Sequence, residues 1–344
     1  MSENKNSSCD LSCRRNKVGG QAVLEGVMMK SGDLCALSVR TKDGIVTETK
    51  HHTSWRKKYK ALGIPILRGA VNMIEMLCLS YSTLGRSAEL AMPEDEPGAE
   101  PGKFEKWLTE KLGDKLMNVL ISIAGVLGLV LALFLFKVIP TFVTMLINDH
   151  IAPLGWFCNL VEGAIKIAIF VGYMALVALM PDIKRTFEYH GAEHKSIACY
   201  ERGLEMTPAN AKTCTRFHPR CGTSFIFVIL ILNILIFSLL PWGNFWQRIL
   251  FQLILLPVVV GLSFEFIMYA GRHDNVLTRV LSAPGLAMQR ITTREPDENQ
   301  LAVAIASLKA ALPDEFPPET SGSADTTEDI NPTSDSVNEK NDDK

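Results

Sequence analysis

Residues 189–203 read YHGAEHKSIACYERG, and after a short spacer residues 214–225 read CTRFHPRCGTSF. Three of the seven histidines and three of the eight cysteines fall here, between two strongly apolar segments. His190 and His194 are four residues apart with Glu193 between them. On a helix that spacing puts two imidazoles on one face about one turn apart, within reach of a single metal ion. The order H-x-x-E-H is the inverted zincin pattern, in which the histidines bind zinc and the glutamate handles a water proton. Metal chemistry is therefore the leading expectation, with the remaining ligands coming from elsewhere.

The flanking segments predict a membrane protein. Of the 344 residues 47% are hydrophobic, and mean hydropathy is positive. Leu116–Phe136 carries no charge over 21 residues, enough at about 1.5 Å per residue to cross a bilayer core of roughly 30 Å. Leu160–Met180 is a second expected span, with Glu162 and Lys166 placed for a mutual ion pair. Phe225–Leu240 and Ile249–Ala270, joined by the turn Pro241–Asn244, make a third and fourth. Lys184, Arg185, Lys195, Arg202, Lys212, Arg216 and Arg220 crowd the loop between spans two and three. By the positive-inside rule that loop and both termini face the cytoplasm. The expected fold is thus mainly α: a polytopic helical protein with four transmembrane helices and a small N-terminal β-containing cytoplasmic region.

The outer parts divide by composition. Residues 1–17 are polar and expected to be disordered; the C-x3-C of Cys9 and Cys13 is a weak metal signal. Over 18–60 the turn signals Ser31-Gly32-Asp33 and Lys42-Asp43-Gly44 separate two or three short antiparallel strands. Glu25 within the first of them is either an exposed strand residue or a carboxylate aimed at the site. Residues 61–91 predict a helix lying on the membrane or packed against spans, because Arg68, Asn72, Glu75 and Ser82 fall near one face. An acidic linker with a short helix spans 92–115, the membrane domain with its cytoplasmic loop (181–224) spans 116–270, and a cytoplasmic helical segment spans 271–312. Within that last segment 300–312 is expected to be amphipathic. From Pro313 onward ten acidic residues stand against two lysines, a disordered tail by composition. The N-terminus lacks signal-peptide features, and the cysteines do not form the pattern of a disulfide framework.

This topology brings HGAEH, HPRCG and GRHDN to one surface. His190, His194, His218, Cys221 and His273, with Asp274 beside it, can meet there; His150 lies on the far side, and His51 and His52 are expected to be solvated. His218 and Cys221, spaced H-x2-C, would close the shell as structural zinc, and Cys214 would extend the run to C-x3-H-x2-C. Glu265, a carboxylate inside the fourth span, is the alternative third ligand. Two histidines and a carboxylate leave a position open for water, with Glu193 as general base.

GGQAVLEGVMM, YHGAEHK, HPRCGTSF, AGRHDN and SAPGLAMQRITTREPDENQ, in this order over about residues 18–311, resemble the YqhQ-like family of bacterial membrane proteins. That family is of unknown function and is described as predicted metal-dependent enzymes. The resemblance implies a bacterial inner-membrane protein and transfers no substrate or catalytic residue.

Three functions follow. The first is a membrane-bound hydrolase dependent on a divalent metal such as zinc, peptidase-like, acting on a membrane or peptide substrate. The second is a non-enzymatic scaffold or adaptor pinned by a closed His/Cys site, and the third is a small transporter using Glu162, Lys166 and Glu265. Nucleic-acid binding is not expected: membrane orientation explains the basic residues, and no stacking platform appears. Besides the bilayer itself, anionic headgroups are the expected partners of Arg56-Lys57-Lys58 and Lys60. No glycine-rich phosphate loop is present.

Overall fold

The computed structural model describes residues 14, 17–91, 116–218, 221–239, 244–270, 273 and 275–317. The expectations for Cys9 and Cys13, for the 92–115 linker, for Asp274 and for the tail beyond residue 317 fall outside these residues. Four strands rather than two or three follow one another as a meander in the order β1 (Gly19–Val23), β2 (Gly26–Ser31), β3 (Leu34–Thr41) and β4 (Gly44–His51). All pairs are antiparallel, with Gln21 opposite Met28, Met28 opposite Leu37 and Ala36 opposite Thr49. Side chains alternate across a strand, so β2 and β3 present Val27, Met29 and Ala36 to one core and Met28, Cys35, Leu37 and Val39 to another. Both faces of the sheet are covered. β4, rich in Thr, Lys and Glu, is the exposed edge, a composition that discourages strand addition.

Leu79 and Met76 of helix α1 (Leu67–Ala91) cover the second face. The first is covered by two helices distant in sequence, α5 (Pro181–Glu201) and α10 (Glu298–Ala311). α5 begins with Pro181 and an acidic Asp182, both suited to a helix N-terminus, and runs through the HGAEH motif. Much of the expected 181–224 loop is therefore helix. α10 starts at a capping box in which Asp297 accepts from the Gln300 amide and the Gln300 side chain accepts from the Asp297 amide. Its expected amphipathic character survives as a stripe through Glu298, Ala302, Ala306 and Lys309 that is left exposed or half-buried. Leu301, Val303, Ala304, Ile305 and Leu308 are all buried, because the sheet lies on one side and α5 on the other. Each fully buried aliphatic side chain contributes about 2 kcal/mol before its entropy cost. Ser307 donates to the Ala36 carbonyl at 2.8 Å and fixes the helix on β3.

Between α1 and α5 lie apolar helices. α2 (Leu116–Leu133) continues through a π-turn at Phe134–Val138 into α3 (Ile139–His150), and α4 (Cys158–Val177) follows. After α5 come α7 (Gly222–Ser238) and α8 (Phe245–Ala270), with the short turn of helix Pro208–Lys212 as α6, and then α9 (Val276–Thr292). Among the described residues three helices are long and apolar enough to cross a bilayer: Gly125–His150, Cys158–Val177 and Phe245–Ala270. The fourth expected span, Phe225–Leu240, corresponds to the shorter apolar helix α7. α7 has 17 residues, about 25 Å at 1.5 Å per residue, short of a roughly 30 Å core. The first expected span, ending at Phe136, also continues helically as far as His150. Glu162 and Lys166 do pair, at 2.5 Å, and the Gln252 amide of α8 joins them by donating to Glu162 at 2.6 Å.

α1 and α8 cross in close contact. A Cβ on Gly69 would stand 2.8 Å from the Gly261 Cα, and one on Gly261 would strike the Ile66 carbonyl. Small residues allow such approaches between apolar helices. At this crossing the Arg68 guanidinium clasps Glu265 with two hydrogen bonds, one of them 2.5 Å, and the Ile66 amide also donates to that carboxylate. Glu265 therefore anchors the start of α1. Glu265→Gln is expected to leave the metal content of the purified protein unchanged while loosening α1, seen as faster proteolytic cleavage between residues 52 and 66. Loss of metal in this variant would return Glu265 to the ligand set.

Candidate metal centre

The histidines of α5 are oriented from behind. His190 Nδ1 lies 2.8 Å from the Thr292 carbonyl at the end of α9, and His194 Nδ1 lies 2.5 Å from the Arg216 carbonyl. A carbonyl oxygen only accepts, so both Nδ1 atoms carry the proton and both Nε2 atoms keep a lone pair. Metal-binding histidines are held in the same way, their second nitrogen tied to a backbone carbonyl or carboxylate. The two rings sit edge to face with centroids 4.5 Å apart. His190 Nε2 is 3.2 Å from the Cys221 sulfur, and one ligand atom each from His190, His194 and Cys221 lie within 4.8 Å of one another. This is a group that can hold a metal ion. Cys221 is the N-cap residue of α7, and the Thr223 hydroxyl donates to its sulfur at 3.3 Å. His194 is 2% exposed, and burial pushes its imidazole below the ordinary value, favouring the neutral form.

His218 flanks this group without joining it. Its ring centroid is 5.6 Å from that of His194, and its Nε2 faces Glu201 at 3.9 Å. Gln289 of α9 fixes the His218 backbone by accepting from its amide at 2.8 Å and donating to its carbonyl at 2.7 Å. His273 stacks on Tyr269 instead, with centroids 4.3 Å apart. Cys214 does not extend the H-x2-C run; it lies in the core below α5, close to Cys199. Glu265 is occupied at the α1–α8 crossing. Glu25, in the β1–β2 turn with φ +51, is held by Arg185 and by the Tyr189 hydroxyl at 3.2 Å, so it ties the sheet to the residue before His190.

Glu193 precedes His194 in the same helix and is near enough to His190 to feel its charge. Its carboxylate is 5% exposed and has no hydrogen-bond or ion-pair partner among the described residues. Burial pushes its pKa up to about 7, against a smaller opposing effect of His190. Room for it comes from Gly20 of β1, where a Cβ would stand 3.1 Å from Glu193 Cγ and closer still to the Met28 carbonyl.

Sequence inspection missed the residues that aim the ligands. Thr292 and Arg216 act through backbone carbonyls, which every residue carries, so no side-chain signal announces them. All four positions, Gln289 and Gly191 included, lie inside quoted stretches, but nothing in those stretches marks them as supports. Gly191 allows the closest approach at the site: a Cβ there would lie 1.9 Å from the Arg294 carbonyl. The chain passes this close because the Arg294 amide donates to the Phe187 carbonyl at 2.9 Å.

Residues 64–314 match the family described as protein of unknown function (DUF1385). The chain belongs to the DUF1385 family. It is 34% identical over 298 residues to "Uncharacterized protein YqhQ" of Bacillus subtilis (strain 168), covering 86% of this chain and 92% of that protein. No solved structure matches it. The family match takes in His190, His194, Cys221 and both carbonyls that orient the histidines, and leaves the sheet outside.

Proposed function

We propose that this DUF1385 protein is a membrane-embedded, zinc-dependent hydrolase whose site faces the cytoplasm. The observation that carries the proposal is the convergence of two Nε2 lone pairs and one sulfur on a single point. Both imidazoles are held by backbone carbonyls, and a buried, unpartnered carboxyl stands alongside. Three protein ligands with a fourth position left over are the arrangement of catalytic rather than structural zinc. Zinc held there would polarise a substrate oxygen and acidify a bound water. The chain's own part is then plain. Thr292 and Arg216 fix the ring orientations, Gln289 holds the 218–221 turn in place, and Glu193 Oε accepts and returns a proton next to the ligands. The apolar helices and the excess of Lys and Arg over the 181–220 segment support a bilayer location with that surface inward.

A second reading has one observation in its favour. His218, next to His194, would close the shell as a fourth ligand and make the site a structural clamp for a scaffold. Elemental analysis of the detergent-purified chain should find about one zinc per chain; no metal after reconstitution sinks both readings. Cobalt replacement separates them. An open shell should show a visible spectrum that shifts on adding azide or thiocyanate, whereas a spectrum indifferent to both, and altered in His218→Ala, would favour the closed scaffold.

A further inference from the structure

Beside the ligands lies a cavity of about 440 Å³ that is not needed to hold a metal. Arg216, Arg290 and Arg294 line it together with Ala175, Ala178 and Leu179, which lie at and just past the end of α4. We propose that this cavity binds the phosphate of a membrane lipid, with the guanidinium groups on the headgroup and the α4 end along the acyl chain. The inference rests on the membrane-embedded metal-site reading and names the substrate class of that same site.

The guanidinium groups are incompletely used. Arg290 is exposed and has no hydrogen-bond or ion-pair partner among the described residues. Arg294 Nε is buried with no hydrogen-bond partner, although its Nη2 donates to the Ala178 carbonyl at 3.2 Å. Arg216 lies over the Phe217 ring and is 3.8 Å from Glu295, the acidic residue of the lining. That carboxylate is itself engaged by Lys195 at 2.9 Å. Three cations around one carboxylate that is already paired leave a surplus of positive charge. The planar fork of arginine matches the tetrahedral oxygens of phosphate better than any other side chain.

Position decides between a lipid and a free phosphate ester. Ala175 is in the last turn of one of the three helices able to cross a bilayer, and Ala178 and Leu179 follow directly after it, so a headgroup here would have its chains alongside α4. The cavity also shares its backbone with the metal ligands. Arg216 offers its carbonyl to His194, and Thr293 in the lining follows the Thr292 carbonyl that holds His190.

The test is native mass spectrometry of the full chain in detergent with three probes: dioleoyl phosphatidic acid, dioleoylglycerol and glycerol 3-phosphate. Phosphatidic acid is expected to bind, the other two to bind much more weakly. Arg290→Gln is expected to weaken phosphatidic acid binding roughly tenfold, as loss of a charge-assisted contact implies. Arg290 is exposed, and an unchanged zinc content checks that its variant has folded. Equal binding of glycerol 3-phosphate would overturn the lipid assignment. Equal binding by wild type and Arg290→Gln, or no binding at all, would overturn the site. Lipid binding is read without turnover, so the two proposals fail separately: zinc without lipid binding leaves the metal site standing, and lipid binding without zinc leaves only the cavity.

Discussion

Gly191→Ala is expected to destabilise the protein by about 2–3 kcal/mol, the upper range for overpacking, and to weaken zinc binding about 10- to 100-fold, as loss of a supporting contact does. In an ordinary helix interior the same change stabilises by up to about 1 kcal/mol. The sign reverses because the new methyl would lie 1.9 Å from the Arg294 carbonyl, a backbone atom with no rotamer in which to escape. The 292–296 segment must then move away from α5. That motion breaks the Arg294–Phe187 hydrogen bond and withdraws the Thr292 carbonyl from His190. Thermal unfolding and a chelator competition read the two effects. Gly172→Ala in α4, where nothing lies within 4 Å, is the control and should be neutral or slightly stabilising. Indifference at Gly191 would mean that the backbone contact does not hold the site.

His194→Ala should bring the zinc content of the purified protein from about one per chain to near zero, while Glu193→Gln should leave it unchanged. His194 contributes one of the three converging donors, and its loss leaves two, too few for a stable site. Glu193 lies outside that group, so its neutral isostere removes a proton acceptor and no ligand. Chelator should lower the melting temperature of wild type and of Glu193→Gln, since a ligand bound only by the folded state at 100 times its Kd stabilises by about 2.7 kcal/mol. The same chelator should do nothing to His194→Ala. Loss of zinc in Glu193→Gln would make that residue part of the shell and end its assignment as the proton carrier.

Much of this centre can be read in the order of residues, and the reasons are local. Two histidines four apart share a helix face whatever surrounds them, and Cys221 sits where a polar segment gives way to an apolar one. Together these bring three donors to one surface. Glu265 misled because a carboxylate in an apolar helix signals that it needs a partner without naming it; that partner, Arg68, is 197 residues away. α10 was legible as a helix with an open stripe at Lys309, but Ala, Leu and Ile at nearly every other position fit a helix covered on one side as well as one covered on two. Which of the two forms depends on how many layers pack against it. The covering of both sheet faces was equally hidden, since a short strand does not reveal which distant helix will lie on it.

The clamp on α5 also sets an order of events during synthesis. β1 to β3 and α10 close over the ligand helix from opposite ends of the chain, with Ser307 reaching Ala36 across 271 residues. While the apolar helices are emerging from the ribosome, the strands already exist but the last wall does not. The Thr292 carbonyl that aims His190 comes late as well. The centre therefore cannot reach its final geometry until translation has passed α10, so a metal proposed for it would be captured as a late step of maturation.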